Sequence, residues 1–390
     1  MKRNKFGVVV GLLLAVFAKT TWAYPPYNAA VLYYRTFLLM EYANDSDVRS
    51  AMVDYANGKI PLDENVERVI KRHKRAIGLL SDASTVEHCD WGVDYSKGVQ
   101  TYLPELYLAR FAAVLLVADA RRLMENGEIK GGLNRLLAIH RIARHVVSDG
   151  VTIFHLVGLS MSELSNQVLA NALSDNSIDE ETLIWLKVEM AHAGPPKDGL
   201  RLGFRKEAES MVHSFTVERW PQFLKECPVG TENAQDLRRA LEKVEPVNES
   251  FLRDTRQYYI EFMAELQAAL ENPFNQAHRI LRTLENRPGR DLNEQSGATA
   301  AFVLTVDYAK CLCASTRTHT RFNAVRAAIE LYLIKIRTGQ LPDALPQDLP
   351  QDLFSGRDFS YEKNEEGFIL RCQAKDPYRD MIHEYSFKVN

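Results

Sequence analysis

Glu209-Ser210 and Glu249-Ser250-Phe251 each place a carboxylate directly before a serine. A glutamic acid kept protonated by burial can hand its proton to a glycosidic oxygen, so either dipeptide could serve glycan cleavage. Glu209 is the candidate acid of the two. In a chain this rich in glutamate, the competing reading is a solvated helix face. The ten histidines contain no His-Glu-x-x-His, the spacing that sets two imidazoles on one helix face around a metal. His140 and His145 are five apart and diverge on a helix, and His140 shares an apolar stripe, so it reads as a core residue. Asp376-Pro-Tyr-Arg-Asp380 clusters carboxylates as a calcium loop would. Its proline turn and Arg379 fit an ordinary loop better.

Nucleophile patterns are incomplete. Gly158-Leu-Ser-Met-Ser lacks the second glycine of a nucleophile elbow. Ser360-Tyr-Glu-Lys363 has Ser-x-x-Lys spacing without the partner motifs of that chemistry. The five cysteines, Cys89, Cys227, Cys311, Cys313 and Cys372, are odd in number. Cys311 and Cys313 stand two apart in a helical stretch and so point to different faces, which suits neither a zinc clamp nor a redox pair. Buried single thiols are the simpler expectation. No glycine-rich phosphate loop is present, so no cofactor and no metal are expected.

The elements that must position these residues read as helices. Residues 28–57 and 61–80 are amphipathic. From Leu103 to Leu173 apolar residues recur in steps of three and four, with Asn126-Gly127, Gly131-Gly132 and Asp149-Gly150 as punctuation. Short polar connections between long helices imply antiparallel neighbours. Ser177-Ile-Asp-Glu180 has the form of a capping box opening a helix to about His192. Further helices are expected over 200–225, 232–244, 248–270 and 274–284, with 287–291 as a loop. A long helix, broken or continuous, follows from about Gly297 to Thr338. Pro342, Pro346 and Pro350 forbid another. The segments around Phe359, Phe368 and Tyr385 then alternate as strands do.

The N-terminus has a basic start, an apolar run from Phe6 to Ala18, and small residues at Thr21 and Ala23. That is the layout of a cleaved export signal over 1–23. The run is shorter than the roughly 20 residues a membrane span needs. The whole chain carries 48 basic and 51 acidic residues, a formal charge of −3. Lys2, Arg3, Lys5 and Lys19 lie in the signal, so the remainder is more acidic still. A mildly acidic chain with interspersed charges lacks the footprint of phosphate binding, and no nucleic acid is expected.

Two stretches resemble a known group. Cys89-Asp-Trp-Gly-Val-Asp-Tyr, the helices from Ala109-Arg-Phe to Ile142-Ala-Arg-His, and Thr152-Ile-Phe-His-Leu-Val-Gly form the first. Arg326-Ala-Ala-Ile-Glu-Leu-Tyr-Leu, Gly339-Gln-Leu-Pro342 and Asp352-Leu-Phe-Ser-Gly356 form the second. Both look like a group of uncharacterised exported bacterial proteins common in planctomycetes. The second is also similar to the C-terminal tail of type II secretion major pseudopilins. Asp352-Leu-Phe stands where those have Asp-Pro-Phe, and Gly7 is not followed by the early glutamate of a prepilin. The resemblance therefore implies a shared small module and not a pilin subunit. It implies no activity. The Glu-Ser dipeptides are similar to those of lytic transglycosylases, but the Gly-Leu-Met-Gln-type segment that follows there is missing after both.

The expected architecture is mostly α: antiparallel helical hairpins in a bundle or short solenoid over 24–338, and a small antiparallel β meander over 339–390. The expected role is a non-enzymatic binding or scaffold protein, periplasmic or extracellular, whose partner is a protein or a cell-envelope component. It would have no stable membrane span after signal cleavage. The alternatives are an envelope glycan hydrolase acting through Glu209, and an accessory protein of a secretion system.

Overall fold

The computed structural model describes residues 28–40, 46–148, 150–195, 198–227, 234–242, 247–292 and 294–389. The expected export signal lies outside the described residues. The chain is mostly helical with one small C-terminal sheet, as the periodicity predicts.

Four short helices open the structure. They are α1 (Ala29–Phe37), α2 (Ser46–Ala56), α3 (Glu64–Arg72) and α4 (Lys74–Ser84). The stretch 61–80 is thus two helices, kinked at His73 (φ −90°, ψ 8°). Its Nδ1–H donates to the Val69 carbonyl at 2.8 Å. Trp91 stacks on Tyr33 of α1 with ring centroids 5.3 Å apart. Its indole N–H donates to the His145 carbonyl at 2.7 Å. Asn28 accepts from the Asp90 amide at 2.9 Å and from the Ala30 amide at 3.0 Å. The Cys-Asp-Trp segment is therefore a clamp that ties α1 to the helix bearing His145.

Helices α5 (Pro104–Glu125), α6 (Ile129–Val147) and α7 (Thr152–Asp175) follow as consecutive antiparallel neighbours. Gly131 and Gly132 do not punctuate the chain, since both lie inside α6. A Cβ at Gly132 would sit 2.7 Å from the Ala120 carbonyl oxygen, and one at Gly158 3.0 Å from that of Ala143. These two glycines let α6 approach both neighbours more closely than any side chain permits.

Next comes α8 (Glu180–Ala193). Its cap is Asp179, which accepts from the Thr182 amide at 2.8 Å, and not Ser177. A carboxylate is the stronger acceptor at a helix N-terminus. Glu180 instead pairs with Arg337 at 2.6 Å. The expected helix over 200–225 is two helices, α9 (Gly199–Met211) and α10 (Trp220–Glu226). The break buries Phe215 against Trp220, Phe223 and Tyr259, with centroids 5.3–6.0 Å apart. Then come α11 (Ala234–Glu242), α12 (Glu249–Ala269) and α13 (Phe274–Glu285). The expected loop at 287–291 is a short helix, α14 (Arg287–Asp291), with Pro288 in its first turn, where a missing amide costs nothing. After α15 (Thr299–Leu304), Asp307 caps α16 (Tyr308–Thr338), and Gly339 ends it at φ 78°.

The apolar side chains form two cores. One gathers α1 to α8, most of α16 and the sheet, and the other gathers α9, α10, α12, α13, α15 and the start of α16. His155–Ser315 and Glu163–Arg321 contacts run α7 and α16 in the same direction. Within Ser296–Thr338 an 18-residue window reaches the mean hydropathy (1.2) of a membrane span by composition alone, and half of that window is buried inside the protein.

Strands β1 (Ser360–Asn364), β2 (Gly367–Arg371) and β3 (Glu384–Lys388) form an antiparallel sheet in that order. Tyr361 faces Leu370 and Phe368 faces Phe387. The buried Phe368 packs on Tyr332 of α16 at 5.7 Å. Two equivalent turns flank the sheet. Asp352 accepts from the Phe354 amide at 2.9 Å, and Asp376 from the Tyr378 amide at 3.0 Å. Each aspartate amide bonds the carbonyl five residues on, and Gly356 and Asp380 take positive φ at matching positions. Asp352-Leu-Phe-Ser-Gly356 and the candidate calcium loop at Asp376–Asp380 are thus one turn used twice.

Candidate functional site

The structure places Glu209 on the outer face of α9. It is exposed and loosely paired with Lys206 at 3.7 Å and Arg205 at 3.9 Å. Glu249 is likewise exposed and accepts from Arg256 at 3.2 Å. They stand on α9 (Gly199–Met211) and α12 (Glu249–Ala269), which pack together, and each carboxylate pairs with basic residues of its own helix. Asp376 is fully buried and committed. Its Oδ2 accepts from Arg317 at 2.7 Å and 2.9 Å and from His383 at 3.0 Å. Burial alone would push this carboxyl up, but His383 and Arg317 hold it below the ordinary range. The triad fastens the sheet to α16, and its lone pairs are spent on that.

Three buried histidines, His140, His145 and His155, are held neutral. Burial pushes His140 and His155 down to about 3 and His145 to about 4. His140 meets the edge of Phe322 at 5.2 Å, and neither ring nitrogen has a partner. His145 Nδ1 bonds the Tyr33 hydroxyl at 2.7 Å. His155 Nε2 lies 3.3 Å from Ser315 Oγ, a serine–histidine contact. His155 Nδ1 has no acid behind it, and Ser315 is buried, so the pair lacks both orientation and access. Ser160 is exposed and Ser162 buried on α7. Lys363 pairs with Asp343 at 2.5 Å and not with Ser360. No disulfide joins the five cysteines among the described residues, and burial pushes the Cys311 and Cys313 thiols up to about 12. Among the described residues no group of three His, Cys, Asp or Glu could hold a metal.

Among the described residues three carboxyls are raised, each mainly by burial: Glu105, Glu207 and Glu285. Glu207 accepts from the Thr152 amide at 3.3 Å and Glu285 from the Ala309 amide at 2.5 Å. Each thereby caps the N-terminus of a neighbouring helix, α7 and α16. Sequence reasoning selected Glu209 and missed Glu207, although Phe204 and Met211, three before and four after, mark its inward face. None of the three lines a cleft described below.

Among the described residues, a cleft of about 780 Å³ opens between α2, α5 and α7. Other clefts are smaller: about 380 Å³ beside Arg121 and Glu125, and about 490 Å³ beside Lys187 and Glu330. In those two, acid and base pair with each other, at 3.6 Å and 2.7 Å. The large cleft has an apolar floor of Leu106, Phe111, Val157 and Met161, and half-buried walls at Val53, Val114 and Leu164. Its polar groups among the described residues are Arg49, Arg110, Tyr107, Asn57 and Ser160, with no carboxylate and no histidine. Arg49 donates to the Tyr107 hydroxyl at 2.8 Å and lies 5.5 Å from its ring centroid. Sequence reasoning did not select this site. The signal was Arg110, which shares a helix face with Leu103, Leu106, Tyr107 and Val114 and interrupts an apolar stripe.

Comparison with family models, with curated proteins and with solved structures returns no match to this chain.

Proposed function

We propose that this protein is a non-enzymatic binding protein of the bacterial cell envelope, exported through its N-terminal segment, whose ligand sits in the cleft between α2, α5 and α7. The carrying observation is the chemistry of that cleft. It is apolar, of ligand size, and among the described residues lined by no carboxylate, histidine or cysteine. The carboxyls raised by burial lie elsewhere, capping helices or enclosed in packing. The basic start, apolar run and small residues over 1–23 support export. The hydrolase alternative rests on Glu209, whose exposed surroundings supply none of the burial a general acid needs.

The test uses N-phenyl-1-naphthylamine, a neutral apolar fluorophore. Its fluorescence is expected to rise to saturation at one molecule per chain. Ser160→Trp, an exposed substitution that fills the cleft, should remove that rise without changing the thermal melt. In parallel the protein is incubated with peptidoglycan beside Glu209→Gln. Absence of saturable binding, or muropeptide release that the variant lacks, would overturn the binding reading.

A further inference from the structure

We propose that the cleft binds a single-chain amphiphile with a carboxylate head, a fatty acid, with the head against Arg49 and Arg110. This rests on the binding reading above and adds the class of ligand.

The charge pattern carries the inference. Two guanidiniums line a wall that is otherwise apolar or neutral. Neither pairs with a carboxylate among the described residues, whereas Arg121 and Lys187 at the smaller clefts do. An arginine beside apolar surface with no counter-ion favours an anion, and its planar donor fork matches a carboxylate. Arg49 is steadied by the Tyr107 hydroxyl and ring, so little side-chain freedom is lost when it engages. A cationic ligand would meet two like charges, and a neutral one would leave both unused.

The shape selects a chain. The lining residues of α5 run from Leu106 to Val114 and those of α7 from Ile153 to Leu164. At 1.5 Å per residue the α7 wall is about 16 Å long. The floor residues Val157 and Met161 are only 8% and 2% exposed, so the trough is narrow at its floor. A partner helix is about 10–12 Å across with its side chains. Two turns of it would fill a volume comparable to the whole cleft, leaving its polar face against the same apolar walls. An extended acyl chain fits without that cost, and each methylene it buries leaves water for apolar surface.

The experiment titrates the purified chain with decanoate and with 1-decanol, both kept monomeric, by calorimetry. Decanoate is expected to bind about tenfold or more tightly than decanol. Arg110→Gln should abolish that preference while leaving decanol binding in place. Ser160→Trp should weaken both ligands, and Val114→Trp repeats the test from the opposite wall should the first variant misfold. Equal binding of the two ligands, or an Arg110→Gln variant that keeps the preference, overturns the anionic head and leaves the binding reading standing. Decanoate binding that both tryptophan variants leave intact places the ligand elsewhere and overturns the proposal. No binding of either ligand overturns the proposal and, with a silent fluorophore, the binding reading too.

Discussion

Replacing His140 by leucine should flatten the acid side of the stability profile. His140 titrates near 6.5 when unfolded, and burial brings it to about 3 in the fold. Between those values the unfolded chain holds a proton that the folded chain refuses. Its contribution is therefore complete above about pH 6.5, declines as pH falls, and is gone below about pH 3. Well inside that window each such histidine costs about 1.4 kcal/mol per pH unit. His155 and His145 act in the same direction, so the three together remove about 4 kcal/mol per unit near pH 5.5. Whole-domain stability is about 5–15 kcal/mol, so this is a large share. Glu105, Glu207 and Glu285 work the other way, because a raised carboxyl takes its proton in the fold first. They blunt the wild-type slope, which is why the difference between variant and wild type is the informative quantity. His140→Leu should lower the slope near pH 5.5 by about one proton, or 1.4 kcal/mol per unit. At pH 7.5 it should be as stable as wild type or about 1–3 kcal/mol more so, because both ring nitrogens lack partners. Urea unfolding followed by circular dichroism from pH 5.0 to 8.0 reads both. Parallel curves for the two proteins from pH 5.0 to 6.5 would refute the buried neutral imidazole.

Other variants test other joints of the fold. Asp376→Ala should cost about 3–5 kcal/mol in urea unfolding, because it strands Arg317 and His383 in the junction between α16 and the sheet. Trp91→Ala should cost about 3–5 kcal/mol and expose α1 to limited proteolysis, since the indole holds Tyr33, Phe37 and the end of α6. Gly132→Ala should lower stability by about 1–3 kcal/mol, as its methyl would press on the Ala120 carbonyl. Gly78→Ala in α4, with nothing within 4 Å, should raise it by about 0.5–1 kcal/mol; equal melting temperatures for the two glycine variants would contradict the close-approach argument. Glu209→Gln should leave the urea midpoint within about 0.5 kcal/mol of wild type, as an exposed, loosely paired carboxylate would.

Periodicity by itself determined most of the helical segments, that α5, α6 and α7 are antiparallel neighbours, and that the tail after Pro342 is a meander. These follow from local physics: an apolar stripe at 3.6 residues per turn, proline without its amide, alternation at period two. Tertiary structure decided where competing local options resolve. Asp179 displaced Ser177 as a cap, the chain broke after Met211 to bury Phe215, and Gly132 turned from punctuation into a contact. Glu207 and Glu209 are two apart in sequence and opposite in fate, one capping α7 and the other in solvent. The cleft lay furthest from local reading. Arg49, Arg110 and Ser160 come from three helices, and a stripe records that a face is apolar without recording which neighbour covers it or stops short. Where three helices leave a face uncovered is set by how they cross, which depends on glycines and bulky side chains scattered along the whole chain.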